Sequence, residues 1–286
     1  MLARTKSYLQ LTPLTLVLLL FVAIPLVFVV IVSFFRTDGF ETIPAFTFEN
    51  YATLLSSPLT LSLYGKMIKY ALLTWACSLL IGFFVAYFLV FHVRNKVVAI
   101  GLFLVCTVPF WTSNVIRMIS WMPVLAEQGV INTTLLKLGI IDAPLRILLF
   151  SDFSVVVAYV HLFTIFMIVP IFNSMSRIDR NLFEAALDAG AGRFKTLMLV
   201  VLPLTRSGIV MGSIFVVTLV MGDFYVVKVM SGGGSASVVS AMYDNVSTLL
   251  FPPAAASAVV LLLILTALIG VLMRFVDVRQ ELVARR

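Results

Sequence analysis

The chain has 286 residues, of which 62% are hydrophobic and 12% charged, with a net charge of +7. That balance excludes a soluble globular domain and calls for lipid as the main solvent. The apolar runs are continuous rather than alternating, which excludes a transmembrane barrel and leaves α-helices as the spanning elements.

Residues 14–35 form the first window able to cross a hydrocarbon core, which takes roughly 20 residues of helix. The window follows Arg4 and Lys6, exceeds a signal-peptide core and lacks a small-x-small cleavage site, so it is expected to stay as a membrane anchor. Residues 36–69, with Pro44, Pro58 and "FTFENYATLL", predict an outer loop containing a short interfacial helix. The second span is expected at 70–91. The third, 97–121, is fully apolar only to Trp111, so its outer half through "TSNVIRMISW" must face protein or water. The outer connection that follows, "LAEQGVINTTLLKLGIIDAPLRILLFSD", has turn residues around an apolar repeat and is expected to fold back on the bundle. Spans at 153–175 and 208–227 flank a polar segment, 176–207. The last outer stretch, "SGGGSASVVSAMYDNVSTLLFPP", predicts a glycine-rich turn and then a helix stopped by Pro252 and Pro253, before a sixth span at 254–273.

Six spans place both termini on one side. Thirteen of the twenty basic residues fall on that side, namely Arg4, Lys6, Arg94, Lys96, Arg177, Arg180, Arg193, Lys195, Arg206, Arg274, Arg279, Arg285 and Arg286. Basic loops stay in the cytoplasm, so both termini are expected there and 176–207 becomes a cytoplasmic segment. The high net charge then reflects topology, and no nucleic-acid partner is implied. Cys77 and Cys106 lie in apolar windows and are expected to be buried thiols. No soluble domain or internal repeat is visible, so 1–286 is expected to be a single transmembrane domain.

Within the cytoplasmic segment, Asn181 is positioned as a helix N-cap, Glu184 as its capping-box partner and Gly190 as a left-handed stop. The helix spans about two turns, roughly 12 Å. Leu182, Phe183, Ala186 and Ala189 give it an apolar, partly small-sided face. A helix this short needs packing against its own bundle or a partner. Pro203 is expected to end the helical stretch after it, and "GIVMG" from Gly208 is a candidate close-packing site in the fifth span. Periodicity alone leaves two readings, a surface connector or a docking helix.

The order Glu184-Ala185-Ala186, three residues, Gly190, nine residues, then Val200-x-Leu202-Pro203 resembles the EAA signature of permease subunits of bacterial ABC importers. Many members have isoleucine where Val200 stands. "VPFWTSNVIRMISW", "EQGVINTTLLKLGIIDAPLRILL", "GAGRF" and "GDFYVVKVMSGG" extend the resemblance to the spermidine/putrescine permease branch, with Lys228 where many relatives have proline. The resemblance implies an all-α membrane protein with the six-helix type I importer permease fold. It also implies a bacterial inner-membrane location, a second homologous permease, a cytoplasmic ATPase dimer and a periplasmic substrate-binding protein. The EAA helix, with Glu184, Ala185, Ala186, Gly190 and Pro203, would dock on that ATPase. Polyamines lead the substrate expectations; opines, phosphonates, ferric ion and thiamine belong to neighbouring branches.

Ionisable groups inside a span are expensive and mark function by default. Asp223, with Phe224 and Tyr225, could line a path for an alkylammonium, or Asp223 could sit in an ion pair with Lys228 or Arg117. Trp111, Asn114, Arg117 and Trp121 are candidates for an outer gate or a binding-protein contact, against interfacial anchoring and a snorkelling Arg117. Glu127 is grouped with them. His161 fits a hydrogen-bonded packing role better than a proton relay.

"SGGGSAS" lacks the Gly-Lys-Ser/Thr ending of a phosphate-binding loop, and no metal or hydrolase motif is present. No catalytic residue and no cofactor is therefore expected in this chain; ATP and Mg would belong to the partner ATPase. Rival readings are an ATP-independent secondary transporter or channel using Asp223 and His161, and a membrane enzyme, for which no constellation is visible.

Overall fold

A computed structural model describes residues 12–39 and 41–275. Four helices are long and apolar enough to cross a membrane, and six spans result if each of two sharply bent helix pairs counts as one. The chain divides into two compact units, one formed by the residues up to Tyr64 with Val238–Ile264, the other by Gly65–Ser237 with the residues from Leu265.

In the first unit, helix α1 (Thr12–Val32) is exposed along nearly its whole length, as an all-apolar helix in lipid can be. A π-helical turn at Leu19–Ala23 shifts the bonding pattern just before Pro25, inside the helix. The chain then forms a hairpin, β1 (Arg36–Asp38) paired antiparallel with β2 (Glu41–Ile43), where the sequence suggested only loop. Asp38 pairs with Glu41, and Gly39 opens the turn between them at φ +60°. Phe34, Phe46, Phe48 and Tyr51 cluster beneath the hairpin, and Asn50 Nδ2 in α2 (Glu49–Ser56) donates to the carbonyls of Ser33 and Phe35 at 2.9 and 2.8 Å.

Helix α3 starts at Pro58, a dozen residues before the expected second span, and Tyr64 donates from it to the Ser257 carbonyl at 2.9 Å. Helix α13 (Val238–Ser247) is followed by a reversal at Leu249, which takes φ +64°. Pro252 and Pro253 do not stop that helix. They lie in the first turn of α14 (Phe251–Met273), where a proline leaves no helical hydrogen bond unmade.

In the second unit, α3 (Pro58–Tyr87) continues to His92 through a π-turn, and α4 (Lys96–Thr107) is capped by Asn95, whose side chain accepts from the Val97 amide at 2.9 Å. The expected straight third span is broken. A 3-10 turn at Val108–Trp111 contains Pro109, Thr112 is extended, and the chain bends by 94° before α5 (Asn114–Ile119). The missing amide of Pro109 and the extended backbone that follows prevent a straight continuation.

Helices α6 (Met122–Leu125) and α7 (Val130–Lys137) lead into a fold-back pinned by fully buried Asn132. Its amide donates to the carbonyls of Ala126 and Leu145 while its oxygen accepts from the Leu145 amide at 2.7 Å. The core is α8 (Asp152–Met175), opened by a Ser151/Ser154 capping box and packed along α11 (Arg206–Gly222). Gly208 and Gly212 lie against Pro170, Ile171, Ser174 and Met167 of α8, the small-residue packing that "GIVMG" suggested. Cys77 is exposed rather than buried, because it lies on the outward face of α3.

Across this core, Trp75 Nε1 donates to Ser213 Oγ at 2.8 Å and Ser78 meets Thr164 at 3.1 Å. Ser213→Ala would leave the indole N–H unpaired and is expected to cost about 1 kcal/mol, read as a small drop in Tm in detergent.

Candidate coupling and translocation sites

The polar segment folds as α9 (Arg180–Asp188) followed by α10 (Arg193–Leu204). The cap of α9 is Asp179, two residues before Asn181: its carboxylate accepts the Asn181 amide at 3.0 Å and its carbonyl accepts from Leu182. Asn181 instead lies inside the first turn. The side chains of Arg180, Phe183, Glu184 and Leu187 lie outside the described residues, and the capping-box role expected of Glu184 lies there with them.

At the other end, Gly190 takes φ +82° and the Ala191 amide donates to the Ala186 carbonyl at 3.0 Å. This is the long bond of a Schellman reversal, which an L-residue at Gly190 resists. Leu182, Ala185, Ala189 and Gly190 are exposed and Ala186 half-buried, so among the described side chains of α9 and its C-terminal reversal the exposed ones beside Leu182 include a small-sided set.

Pro203 does not end the helix in which it sits. Helix α10 runs through it to Leu204, because a π-turn at Leu197–Val201 has already shifted the bonding pattern before the proline. The break comes at Thr205, where the axis bends by 67° into α11. Thr205 is fully buried, and its hydroxyl donates to the Val201 carbonyl at 2.8 Å, so the bend is hydrogen-bonded.

Of the residues assigned to a pathway, Trp111 is 83% exposed at the end of the 3-10 turn. Asn114 accepts a hydrogen bond from Arg117 Nη2. Arg117 does not snorkel: it is 6% exposed, and its Nε and Nη1 are buried without a hydrogen-bond partner among the described residues. Trp121 Nε1 donates to His161 Nδ1 at 2.9 Å in an edge-on arrangement, which leaves the imidazole proton on Nε2. Glu127 stands apart from this group in an exposed pair with Arg146 at 3.3 Å.

Asp223 occupies the extended break between α11 and α12 (Tyr225–Met230). Its Oδ1 accepts the Val226 amide at 2.9 Å, capping α12, and the hydroxyl of buried Tyr159 at 3.2 Å. Tyr225 beside it is 41% exposed. The structure thus joins Asp223 and Tyr225 at one break, and Asn114 and Arg117 on one short helix.

Sequence reading missed a neighbouring cluster. Asp152 accepts from Lys69 Nζ at 2.7 Å and from Tyr70 at 2.5 Å, while Lys66 donates to Ser235 at 3.2 Å. Asp152 and Tyr159 stand seven residues apart on one face of α8, a spacing that could have flagged them. A half-buried carboxylate held by an amide and a phenol, with an aromatic ring alongside, is suited to receiving an organic cation. Among the described residues no three His, Cys, Asp or Glu side chains gather around one metal position.

The model of the family described as "Binding-protein-dependent transport system inner membrane component" matches residues 78–281. The chain is 34% identical over 233 residues to the spermidine/putrescine transport system permease protein PotB of Escherichia coli strain K12, covering 80% of this chain and 83% of that one. It is 37% identical over 217 residues to PotB of Haemophilus influenzae, covering 75% and 74%. It is also 26% identical over 272 residues to the sulfoquinovosyl glycerol transport system permease protein SmoG of Agrobacterium fabrum, covering 87% and 82%. In fold, it matches a chain of the crystal structure of a bacterial alginate ABC transporter in complex with an alginate-bound periplasmic protein. The TM-score is 0.69 at 14% identity, with 94% and 93% of the two chains covered.

These matches bear out the resemblance carried by the EAA pattern and the outer motifs. With its apolar helices, the chain belongs to the family of inner-membrane components of binding-protein-dependent transport systems, as a multi-pass permease subunit.

Proposed function

We propose that the chain is the membrane path of an ATP-driven polyamine importer, working with a second homologous permease, a cytoplasmic ATPase dimer and a periplasmic binding protein. Residues 1–286 act as one transmembrane domain with both termini in the cytoplasm, and ATP and Mg bind only on the ATPase. The similarity to spermidine/putrescine permeases over four-fifths of the chain carries this reading. The short capped helix ending at Gly190 supports it, because an exposed, small-sided set of residues is what a groove on a partner can grip. Closure of the ATPase dimer would push Glu184, Ala185, Ala186 and Gly190, and Pro203 lies on the helix that carries the movement onward.

In this reading Asp223 and Tyr225 receive the ammonium group of the substrate, and Trp111, Asn114, Arg117 and Trp121 frame the outer part of the path. Arg117 is a fixed positive charge there and would keep the polycation from resting in its vicinity. Asp223→Asn keeps the size of the side chain and an acceptor oxygen for the Val226 amide but removes the charge. In the reconstituted transporter it is expected to lower putrescine kcat/KM about thirtyfold, corresponding to about 2 kcal/mol of lost cation binding. Unchanged kinetics across substrate concentrations would remove Asp223 from the path. Uptake that persists without any ATPase subunit would reject the ATP-driven reading itself.

A further inference from the structure

The π-turn at Phe88–His92, the start of α4 and the end of α8 enclose a groove of about 740 Å³ in the second unit. Its floor is apolar, built from Leu89, Val93, Ile100 and Phe172, with Phe172 stacked on Phe103 at 4.4 Å between ring centroids. Its rim is charged: Lys96 and Arg177 are exposed there, and neither makes an ion pair among the described residues. Asp179 also lines the rim, with one carboxylate oxygen engaged by the Asn181 amide. Lys96 opens the twelve-residue helix α4, so the positive end of that helix dipole adds to the rim.

We infer that this groove holds one anionic phospholipid, its phosphate at Lys96 and Arg177 and one acyl chain along Leu89, Val93, Ile100 and Phe172. Of the floor residues, Leu89, Ile100 and Phe172 belong to spanning helices, where hydrocarbon is the natural neighbour, and Val93 lies in the short link between two of them. The cations stand at the helix ends, where phosphate lies. An amphipathic groove of this polarity matches a lipid of opposite headgroup charge and disfavours a zwitterionic one, whose own cation would face Lys96 and Arg177. Arg177 and Asp179 immediately precede α9, so the bound headgroup would sit at the root of the segment that carries the coupling helix.

The test is native mass spectrometry of the assembled transporter in detergent, incubated with equal amounts of dioleoyl phosphatidylglycerol and dioleoyl phosphatidylcholine. One phosphatidylglycerol per copy of this chain is expected to be retained preferentially. Each of Lys96→Gln and Arg177→Gln should weaken that retention about fivefold. Ala99→Trp, which fills the groove without changing charge, should abolish it, whereas Arg274→Gln, at an exposed cation outside the groove, should leave it intact.

Equal retention of the two lipids by the unmodified transporter would overturn the proposal, and so would unchanged phosphatidylglycerol retention when Lys96→Gln and Arg177→Gln are combined. Displacement by free glycerol 3-phosphate would show a phosphate site without lipid. Loss of the ATPase subunit with unaltered lipid occupancy would assign the groove to a protein partner. Binding is read without transport, so the outcome does not depend on the identity of the substrate.

Discussion

Gly190→Pro is expected to reduce uptake and substrate-stimulated ATP hydrolysis to background in the reconstituted transporter, at least a hundredfold, while the protein still inserts and melts near its normal Tm. Gly190 stands at φ +82°, and proline is confined to about −65°. The substitution therefore cannot be absorbed at that residue, and the Ala191 to Ala186 hydrogen bond that closes α9 must break. A Cβ at Gly190 would meet nothing within 4 Å, so the damage is confined to the reversal itself and does not propagate through packing. Gly190→Asn is the informative partner, since asparagine tolerates the left-handed region at a cost of about 1 kcal/mol and should keep most of the coupling. Normal substrate-stimulated hydrolysis in the proline variant would refute a docking role for α9.

Gly208→Val should have the largest effect on stability. A Cβ there would lie 2.5 Å from the Pro170 carbonyl oxygen and 2.7 Å from Ser174 Cβ, and the nearest atom is backbone that cannot swing aside. Pro170 lies within α8, so α8 and α11 would have to separate along the most extensive helix contact in the second unit. Overpacking of side chains costs about 1 to 3 kcal/mol, and a collision with backbone belongs at or above the top of that range. The measurement is Tm and monodispersity in detergent, with Gly101→Val as control, since Gly101 has open space around its Cβ position. Equal melting of the two variants would refute close packing of α8 on α11.

The parts of this fold that were legible from sequence are those governed by local rules. Apolar length located the spanning helices, and Gly190 announced a left-handed stop because nothing larger is comfortable there. Asp223 stood out because a carboxylate in an apolar run needs partners, but which partners it has depends on Tyr159, 64 residues away. No local rule supplies that pairing. The polar residues after Trp111 and around Thr205 marked interruptions, but the 94° and 67° bends there were not legible, since hydropathy records depth and carries no direction.

The hairpin at Arg36–Ile43 was missed for a different reason: strands of three residues are too short to show alternation, although Asp38-Gly39 was a usable turn signal. Asp179 displaced Asn181 as the cap of α9 because either residue type satisfies the same orphan amides, and only the backbone path decides between them. Glu127 was grouped with the outer tryptophans by proximity in sequence, whereas its carboxylate is taken by Arg146 beyond the fold-back loop.

The bend at Thr205 has a mechanical meaning. Helix α10 is an arm of 12 residues, about 18 Å long, joined to α11 at a buried elbow, Thr205, whose hydroxyl is bonded back onto the last turn of the arm. An arm of that length, displaced by about 3 Å at its free end, turns through about 10° if it moves as a rigid rod. A loose joint would dissipate such a displacement as local bending. A packed one would deliver it as torque on α11 and, through the glycine contacts, to α8, so in the proposed coupling a small push at the end of the arm would become a rotation within the membrane.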